Sequence, residues 1–305
     1  MSEKGGNVEK THFGAIGVFG RANAGKSTIV NALVGEKVSI VSPKPQTTRR
    51  RVLGVITQGP SQIVFCDTPG LHPIRNKLDA FMDFEIESTV SGLQGAVFVV
   101  DAGDPDPATD KEHLIRLFSK AGFPITLVLN KIDLISRGRL DELKNEYAQL
   151  APFAGTFEVC GKDRESLKPL FGYLLEGIPE GPHAYDVDYY TSLTEREIVA
   201  EAIREAVLRR FFHEVPHSVA VLIDEFKERE NGKTYVSAEL IVERESQKKI
   251  IIGKGGEEIK ALGMVARTQL NQMLGRDIFL QLWVKVRPNW RKNEEWVRRM
   301  GFNKK

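Results

Sequence analysis

Cysteine, long apolar runs and internal repeats are the things this 305-residue sequence has little of, and each scarcity excludes a class of protein. Two cysteines, Cys66 and Cys160, make neither a disulfide framework nor a metal-ligand cluster. They read as reduced, buried thiols of a cytosolic protein. No apolar stretch approaches the ~18 residues that span a bilayer, and the polar residues 1–10 lack the apolar core of a secretory signal. No repeat points to a solenoid, and no low-complexity segment points to a linker array. What remains is ordinary globular composition, 41% hydrophobic and 28% charged, in a chain long enough for two domains.

The net charge of +2 conceals an uneven distribution. Residues 244–305 hold 15 Lys and Arg against 6 Asp and Glu, so the rest of the chain is acidic. A basic C-terminal part suits a polyanionic partner, and it equally suits a solvated face with no ligand.

Up to about residue 178, apolar strand candidates (13–19, 52–57, 63–66, 95–100, 125–129, 156–159) alternate with helix candidates (27–34, 78–92, 110–121, 140–150, 167–176). That rhythm predicts an α/β fold with a mostly parallel sheet, ligands binding at the carboxyl ends of its strands. Gly177-Ile178-Pro179-Glu180-Gly181-Pro182 breaks the rhythm. A second pattern follows: a long helix from Thr194, with Glu197 at capping-box spacing, and two alternating strands around the hairpin signal Asn231-Gly232. Two helices around a glycine loop and a last strand at 278–286 complete it. The predicted organisation is a nucleotide domain over 10–180, a linker over 181–193 and an α+β domain over 194–305 with a basic tail.

Gly20-Arg21-Ala22-Asn23-Ala24-Gly25-Lys26-Ser27 fits G-x-x-x-x-G-K-S between a strand and a helix. In that setting backbone N–H groups of Asn23, Ala24, Gly25, Lys26, Ser27 and Thr28 converge on phosphate, Lys26 adds a full charge, and Ser27 is placed for Mg2+. Asp67-Thr68-Pro69-Gly70 closes a strand about forty residues on. The Asp67 carboxylate can hold the same ion through water and the Gly70 N–H can meet the terminal phosphate, although the tetrapeptide also makes a good turn. Asn130-Lys131-Ile132-Asp133 follows another strand. The Asp133 carboxylate can accept two hydrogen bonds from guanine, a pair that adenine does not offer, and the Lys131 stem can lie over the base. Asp133 would otherwise be a helix cap.

Together these motifs resemble a translation-factor-type GTPase domain over residues 13–177. The resemblance implies that Gln46-Thr47-Thr48-Arg49 is the first switch, with Thr48 ahead of Thr47 as the threonine that reaches Mg2+ in the triphosphate state. From the residues alone this is a polar, proline-punctuated loop. Where many relatives carry a water-orienting glutamine, Leu71 stands here, which implies slow hydrolysis of GTP. His72 reads as a mobile switch residue. Asn23 resembles the asparagine that binds K+ in some relatives and reads equally as a turn residue. Cys160-Gly161-Lys162 occupies the place of the family's Ser-Ala-Lys loop, which gives a backbone N–H to the guanine keto oxygen.

The second glycine loop, Ile252-Gly253-Lys254-Gly255-Gly256, has Lys260 downstream and resembles the G-x-x-G loop of a type II KH domain. A GxxG tetrapeptide alone is no more than a helix–helix turn. Flanking isoleucines, a following helix and the basic excess favour single-stranded RNA over a protein partner. In the tail, Trp290, Trp296 and Phe302 lie among arginines and lysines, a mixture that suits base stacking, anionic lipid or packing onto the domain. A GTPase domain followed by a KH domain resembles the Era family of bacterial GTPases. That resemblance implies GTP hydrolysis with Mg2+, the 3′ end of 16S rRNA and the 30S subunit as partners, and a role in small-subunit assembly. It also implies a monomer in the cytoplasm with peripheral inner-membrane association. The competing reading is a GTP-regulated signalling or membrane-recruitment protein whose C-terminal domain binds protein or lipid, and an ATP-using phosphotransferase stands third.

Overall fold

The computed structural model describes residues 10–229 and 232–303, so Asn231 of the hairpin signal lies outside the described residues. The chain divides into two compact units. Unit 1 comprises Met1–Ser39, Arg51–Thr68 and Ser88–Ser192; unit 2 comprises Ile40–Arg50, Pro69–Glu87 and Leu193–Lys305.

In chain order, the first part runs β1 (His12–Phe19), α1 (Lys26–Val34), β2 (Val52–Gln58), β3 (Ser61–Asp67), α2 (Lys77–Thr89) and β4 (Gly95–Asp101). It continues with α3 (Pro107–Phe118), β5 (Ile125–Asn130), α4 (Arg137–Ala148), β6 (Gly155–Val159) and α5 (Arg164–Glu176). The six strands form one sheet in the order β2-β3-β1-β4-β5-β6, parallel except where β2 pairs antiparallel with β3. β4 and β5 are buried on both faces, which is why their sequences are nearly continuous apolar runs. Between sheet and helices, Ile16, Val18, Ile29, Val30, Phe65, Val97, Val128 and Leu170 form the core.

Apolar periodicity places the starts of α3, α4 and α5 three residues too late. Each helix begins under its own cap, with Pro107-Ala108-Thr109 opening α3 and polar turns opening α4 and α5: Asp106 accepts from Thr109 N, Ser136 from Arg139 N, and Asp163 from Glu165 N. Cap and first turn carry no large apolar residue to mark the buried face. The expected linker is strapped to the sheet edge: Val55 N donates to Tyr190 O, Leu53 N to Ser192 Oγ, and buried Gln62 bonds the backbone of Ala184 and Tyr185.

Unit 2 contains α6 (Glu195–Arg210), α7 (Val215–Ser218), β7 (Ala220–Glu228), β8 (Thr234–Val242), α8 (Glu245–Ile252), α9 (Glu257–Leu274), β9 (Ile278–Val286) and α10 (Glu294–Arg299). The capping box of α6 forms as expected, Thr194 and Glu197 each satisfying the other's backbone. The four-residue α7 escaped the sequence reading, being too short for any periodicity. The sheet order is β7-β8-β9, antiparallel then parallel. One face packs on α6, α8 and α9 through Val236, Leu240, Ile203, Ile251 and Leu262. The tail packs rather than projects: Trp290 is fully buried, its Nε1 donates to Ser218 O at 2.7 Å, and its ring stacks near Phe302. Leu78, Phe81 and Met82 of α2 join that cluster, beside Ala220, Val297 and Met300. Trp296 is half-buried between Arg287 and Arg299.

Candidate functional site

The first glycine loop turns on residues that only glycine suits. Gly20 has φ +137° and Gly25 φ +96°; a Cβ on Gly25 would fall 2.1 Å from Asn130 Nδ2, and one on Gly20 2.2 Å from Val99 O. Asn23 is exposed with φ +66°, a conformation asparagine tolerates, which fits the turn reading. Beyond Gly25 the N-terminus of α1 has no side-chain cap and no acidic residue in its first turn. Its N–H groups and dipole are therefore directed at an anion site. Lys26 is 5% exposed, and its Nζ donates to the carbonyls of Gly20 and Arg21, each at 2.9 Å. Burial pushes its pKa down to about 8, against the pull of the Asp67 and Asp110 carboxylates. A buried ammonium held by carbonyls alone fits a phosphate group, whose charge would compensate it.

Ser27 Oγ donates to Asp67 Oδ2 at 2.7 Å, joining the helix start to the buried end of β3. These are hard oxygen donors of the kind Mg2+ takes, so the residues present fit the ion. Thr28, half-buried, completes the first turn.

At the far end of β5, Asn130 spends its whole amide on the protein. Nδ2 donates to Ala24 O and Oδ1 accepts from Gly161 N, both at 2.8 Å. It clamps the phosphate loop to the Cys160-Gly161-Lys162 loop. The Gly161 N–H expected to meet the guanine keto oxygen is thus given to Asn130 here. Lys131, φ +64°, ion-pairs with Asp101. Asp133 lies exposed inside the 3-10 turn Ile132–Leu134 and does not cap α4, whose cap is Ser136. Its carboxylate makes no hydrogen bond or ion pair among the described residues. Cys66 is buried, its thiol pushed up to about 11 by that burial, whereas Cys160 is half-buried, and both are free thiols.

Both segments assigned to switching belong to unit 2. In Ile40–Arg50, Thr48 is half-buried and Thr47 Oγ1 donates to Lys44 O at 2.6 Å. Arg204 of α6, 2% exposed, donates to the carbonyls of Gln46 and Thr47 while paired with Glu201. Arg49, equally buried, donates to the carbonyls of Val219, His217 and Pro216 at the end of α7. In Pro69–Glu87, Gly70 is buried and Leu71 half-buried. His72 is held at both ring nitrogens in this structure: Nδ1 lies 2.9 Å from Gly70 O and Nε2 3.3 Å from Asp79 Oδ1. Buried Asp79 also accepts from Arg75 N, Asn76 Nδ2 and Gln46 Nε2, so it ties the two segments together.

The second glycine loop sits between α8 and α9, with Gly253, Gly255 and Gly256 at φ +73°, +61° and +83°. A Cβ on Gly253 would strike Glu258, but at Gly255 and Gly256 it would meet nothing within 4 Å. Lys254, Gly255 and Lys260 are exposed, while Ile252 packs partly into the core. Ile250, one of the flanking isoleucines, is 47% exposed, and Met264 and Val265, which were not singled out in the sequence, are 51% and 52% exposed on α9. Their signal was an apolar residue out of phase with each helix's buried face.

The family model for a 50S ribosome-binding GTPase matches residues 15–131, and that for a KH domain matches residues 214–291. The GTPase Era of Lacticaseibacillus paracasei is 40% identical over 298 residues, covering 98% of this chain and 99% of its own. That of Geobacter sp. strain M21 is 40% identical over 302 residues, covering 99% and 100%. Among solved structures, Era in complex with MgGDPNP and nucleotides 1506–1542 of 16S ribosomal RNA has TM-score 0.93 at 35% identity, covering 96% of this chain and 100% of that one. An Aquifex aeolicus Era variant bound to GDP·AlF4− has TM-score 0.92 at 34% identity, with the same coverage. Similarity of this degree runs through the glycine loops and nearly everything between and around them: the chain belongs to the Era family of GTPases.

Proposed function

We propose that this protein is a GTP-hydrolysing switch that binds the 3′ end of 16S rRNA through its KH fold and acts in 30S subunit assembly. The observation that carries the reading is the composition of unit 2. Ile40–Arg50 and Pro69–Glu87 are continuous in sequence with the ends of nucleotide-site elements, yet cluster with the RNA-type fold. Arg204, Arg49 and Asp79 hold them there. A change of nucleotide that pulls on either segment must therefore work against contacts of the KH unit.

In the reaction, water attacks the γ-phosphorus and the bond to the β–γ bridging oxygen breaks, leaving GDP and phosphate. Lys26 and the N–H groups of residues 23–28 hold the phosphates, and Asp133 selects guanine. Ser27 and Asp67 would hold Mg2+, which supplies positive charge to the phosphate oxygens when bound. Thr48 and the Gly70 N–H are assigned to sensing the γ-phosphate. Leu71 cannot orient water, so hydrolysis is slow without help; K+ at Asn23 is one source of the missing charge. The same reading makes the protein a cytoplasmic monomer with peripheral inner-membrane contact. Among the described residues no helix is long and apolar enough to cross a membrane.

Titration of a labelled 16S 3′-end oligonucleotide at several salt concentrations tests the assignment. Affinity should fall as salt rises and drop about tenfold in Gly255→Asn, whose side chain suits φ +61° but fills the approach to the loop. Unchanged affinity in that variant would remove the RNA role of this loop. Binding to anionic vesicles instead of RNA would favour the membrane-recruitment reading.

A further inference from the structure

The phosphate loop carries a second cation, Arg21, whose guanidinium is spent on α3 and the residues before it. Nε lies 3.2 Å from Asp110 Oδ1, Nη1 lies 4.0 Å from Asp106 Oδ2, and Nη2 donates to Asp104 O at 2.5 Å. Asp110 is 1% exposed, and its other oxygen accepts from the hydroxyl of fully buried Tyr147 on α4, at 2.5 Å. Arg21's own carbonyl is one of the two that hold Lys26 Nζ, and it also accepts from Ala24 N at 3.4 Å. One side chain thus connects a buried carboxylate, two helices and the carbonyl that aims the phosphate-binding lysine.

A buried carboxylate is an expensive way to fill space, because an apolar residue of the same volume packs without a desolvation cost. Burial pushes the Asp110 pKa up, and Tyr147 and Arg21 pull it back. The arrangement has a use in the loop it holds. Gly20, Asn23 and Gly25 all sit at positive φ, so the loop's bound shape is one that a free chain rarely visits. Asn130 pins that loop from the guanine side at Ala24; Arg21 pins it from the other side. A loop ordered before its ligand arrives loses less on binding.

We propose that Arg21, Asp110 and Tyr147 form a positioning brace that holds the phosphate-binding loop in its nucleotide-ready shape and so sets guanine-nucleotide affinity without entering the chemistry. The brace belongs to the GTPase activity and is independent of the RNA reading.

The test uses the full chain, measuring fluorescent GDP affinity and the rate at saturating GTP in Arg21→Ala, Asp110→Asn, Tyr147→Phe, Arg21→Lys and the double variant of the first two. Arg21→Ala and Asp110→Asn should each weaken GDP binding about tenfold, with the saturated rate changed by less than about twofold. The double variant should be no weaker than the worse single one, since both remove the same ion pair. Tyr147→Phe should lose less, and Arg21→Lys should recover part of the affinity. Additive losses, unchanged affinity in a folded Arg21→Ala, or a fall in saturated rate at unchanged affinity would each overturn the brace. Should Asp110→Asn fail to fold by circular dichroism, Arg21→Ala and Arg21→Lys decide, because Arg21 is on the surface side of the pair with 21% of its side chain exposed.

Discussion

The two glycine loops have one composition and opposite designs. Both combine glycines at positive φ with one lysine, Lys26 opening α1 and Lys254 opening the 3-10 turn Lys254–Gly256 that precedes α9. In the first, a Cβ at Gly20 or Gly25 would strike the protein itself, and Lys26 is buried. In the second, a Cβ at Gly255 or Gly256 would enter open space, and Lys254 is exposed. One loop is closed by its own fold around a small, defined anion. The other is kept bare so that something large can approach. Glycine serves internal fit at Gly20 and Gly25, whereas in the second loop only Gly253 is packed, against Glu258, and Gly255 and Gly256 give external clearance.

The lysines give the sharpest contrast. Lys26→Ala removes a desolvated cation whose value rests on low local polarity, and GTP affinity should fall about a hundredfold or more. Lys254→Ala removes a solvated charge; RNA affinity should fall only a few-fold, with the salt slope reduced by about one. Equal losses in nucleotide and RNA titrations would erase the distinction between the loops.

The glycines come next. Gly25→Ala forces a contact of 2.1 Å with Asn130 at φ +96°, and should cost nucleotide affinity at least about tenfold together with a lower melting temperature of unit 1. Gly255→Asn should leave melting within a few degrees while RNA affinity falls about tenfold. Melting curves and the two titrations on the same samples separate packing from clearance. A large melting shift in Gly255→Asn would show that Gly255, like Gly253, serves internal fit.

A smaller effect concerns the segments that join nucleotide elements to unit 2. Arg204→Ala frees the carbonyls of Gln46 and Thr47. RNA affinities measured with GDP and with a non-hydrolysable GTP analogue should then converge, removing a difference on the order of fivefold in the intact protein. A nucleotide-dependent difference that survives would place the coupling elsewhere.

Much of this was legible in residue order. Strands buried on both faces announce themselves as apolar runs, and the phosphate, magnesium and guanine motifs are local in sequence, so Lys26, Ser27, Asp67 and Asp133 could be named without coordinates. What resisted reading was polar and long-range. Arg49 and Arg204 look like solvated charges in a loop and on a helix, yet both are buried because backbone carbonyls distant in sequence accept their protons. Asp110 sits in a helix pattern where a carboxylate reads as surface, and only the arrival of Tyr147 and Arg21 explains it. The tail stayed undecided for the same reason: the acceptor of Trp290 Nε1 is Ser218, 72 positions away.

The smallest expected effect lies in Asp79, which joins the two switch segments in unit 2. Burial raises its pKa, but hydrogen bonds from His72, Arg75 N–H and Gln46, together with the charge of His72, bring it below the ordinary aspartate value. A folded pKa below the unfolded one means that the carboxylate's stabilisation is fully present above the unfolded value of about 3.9 and is lost as pH falls through the folded value. Near neutral pH, Asp79→Asn should therefore lower the melting temperature of unit 2 by a few degrees, and that deficit should shrink as the medium is taken below about pH 4. Unit 1 serves as the internal control, since the substitution lies outside it. A deficit that stays constant down to pH 3 would mean that the carboxylate's charge contributes nothing to holding Gln46 and His72, and that Asp79 serves only as a hydrogen-bond acceptor which an amide replaces poorly.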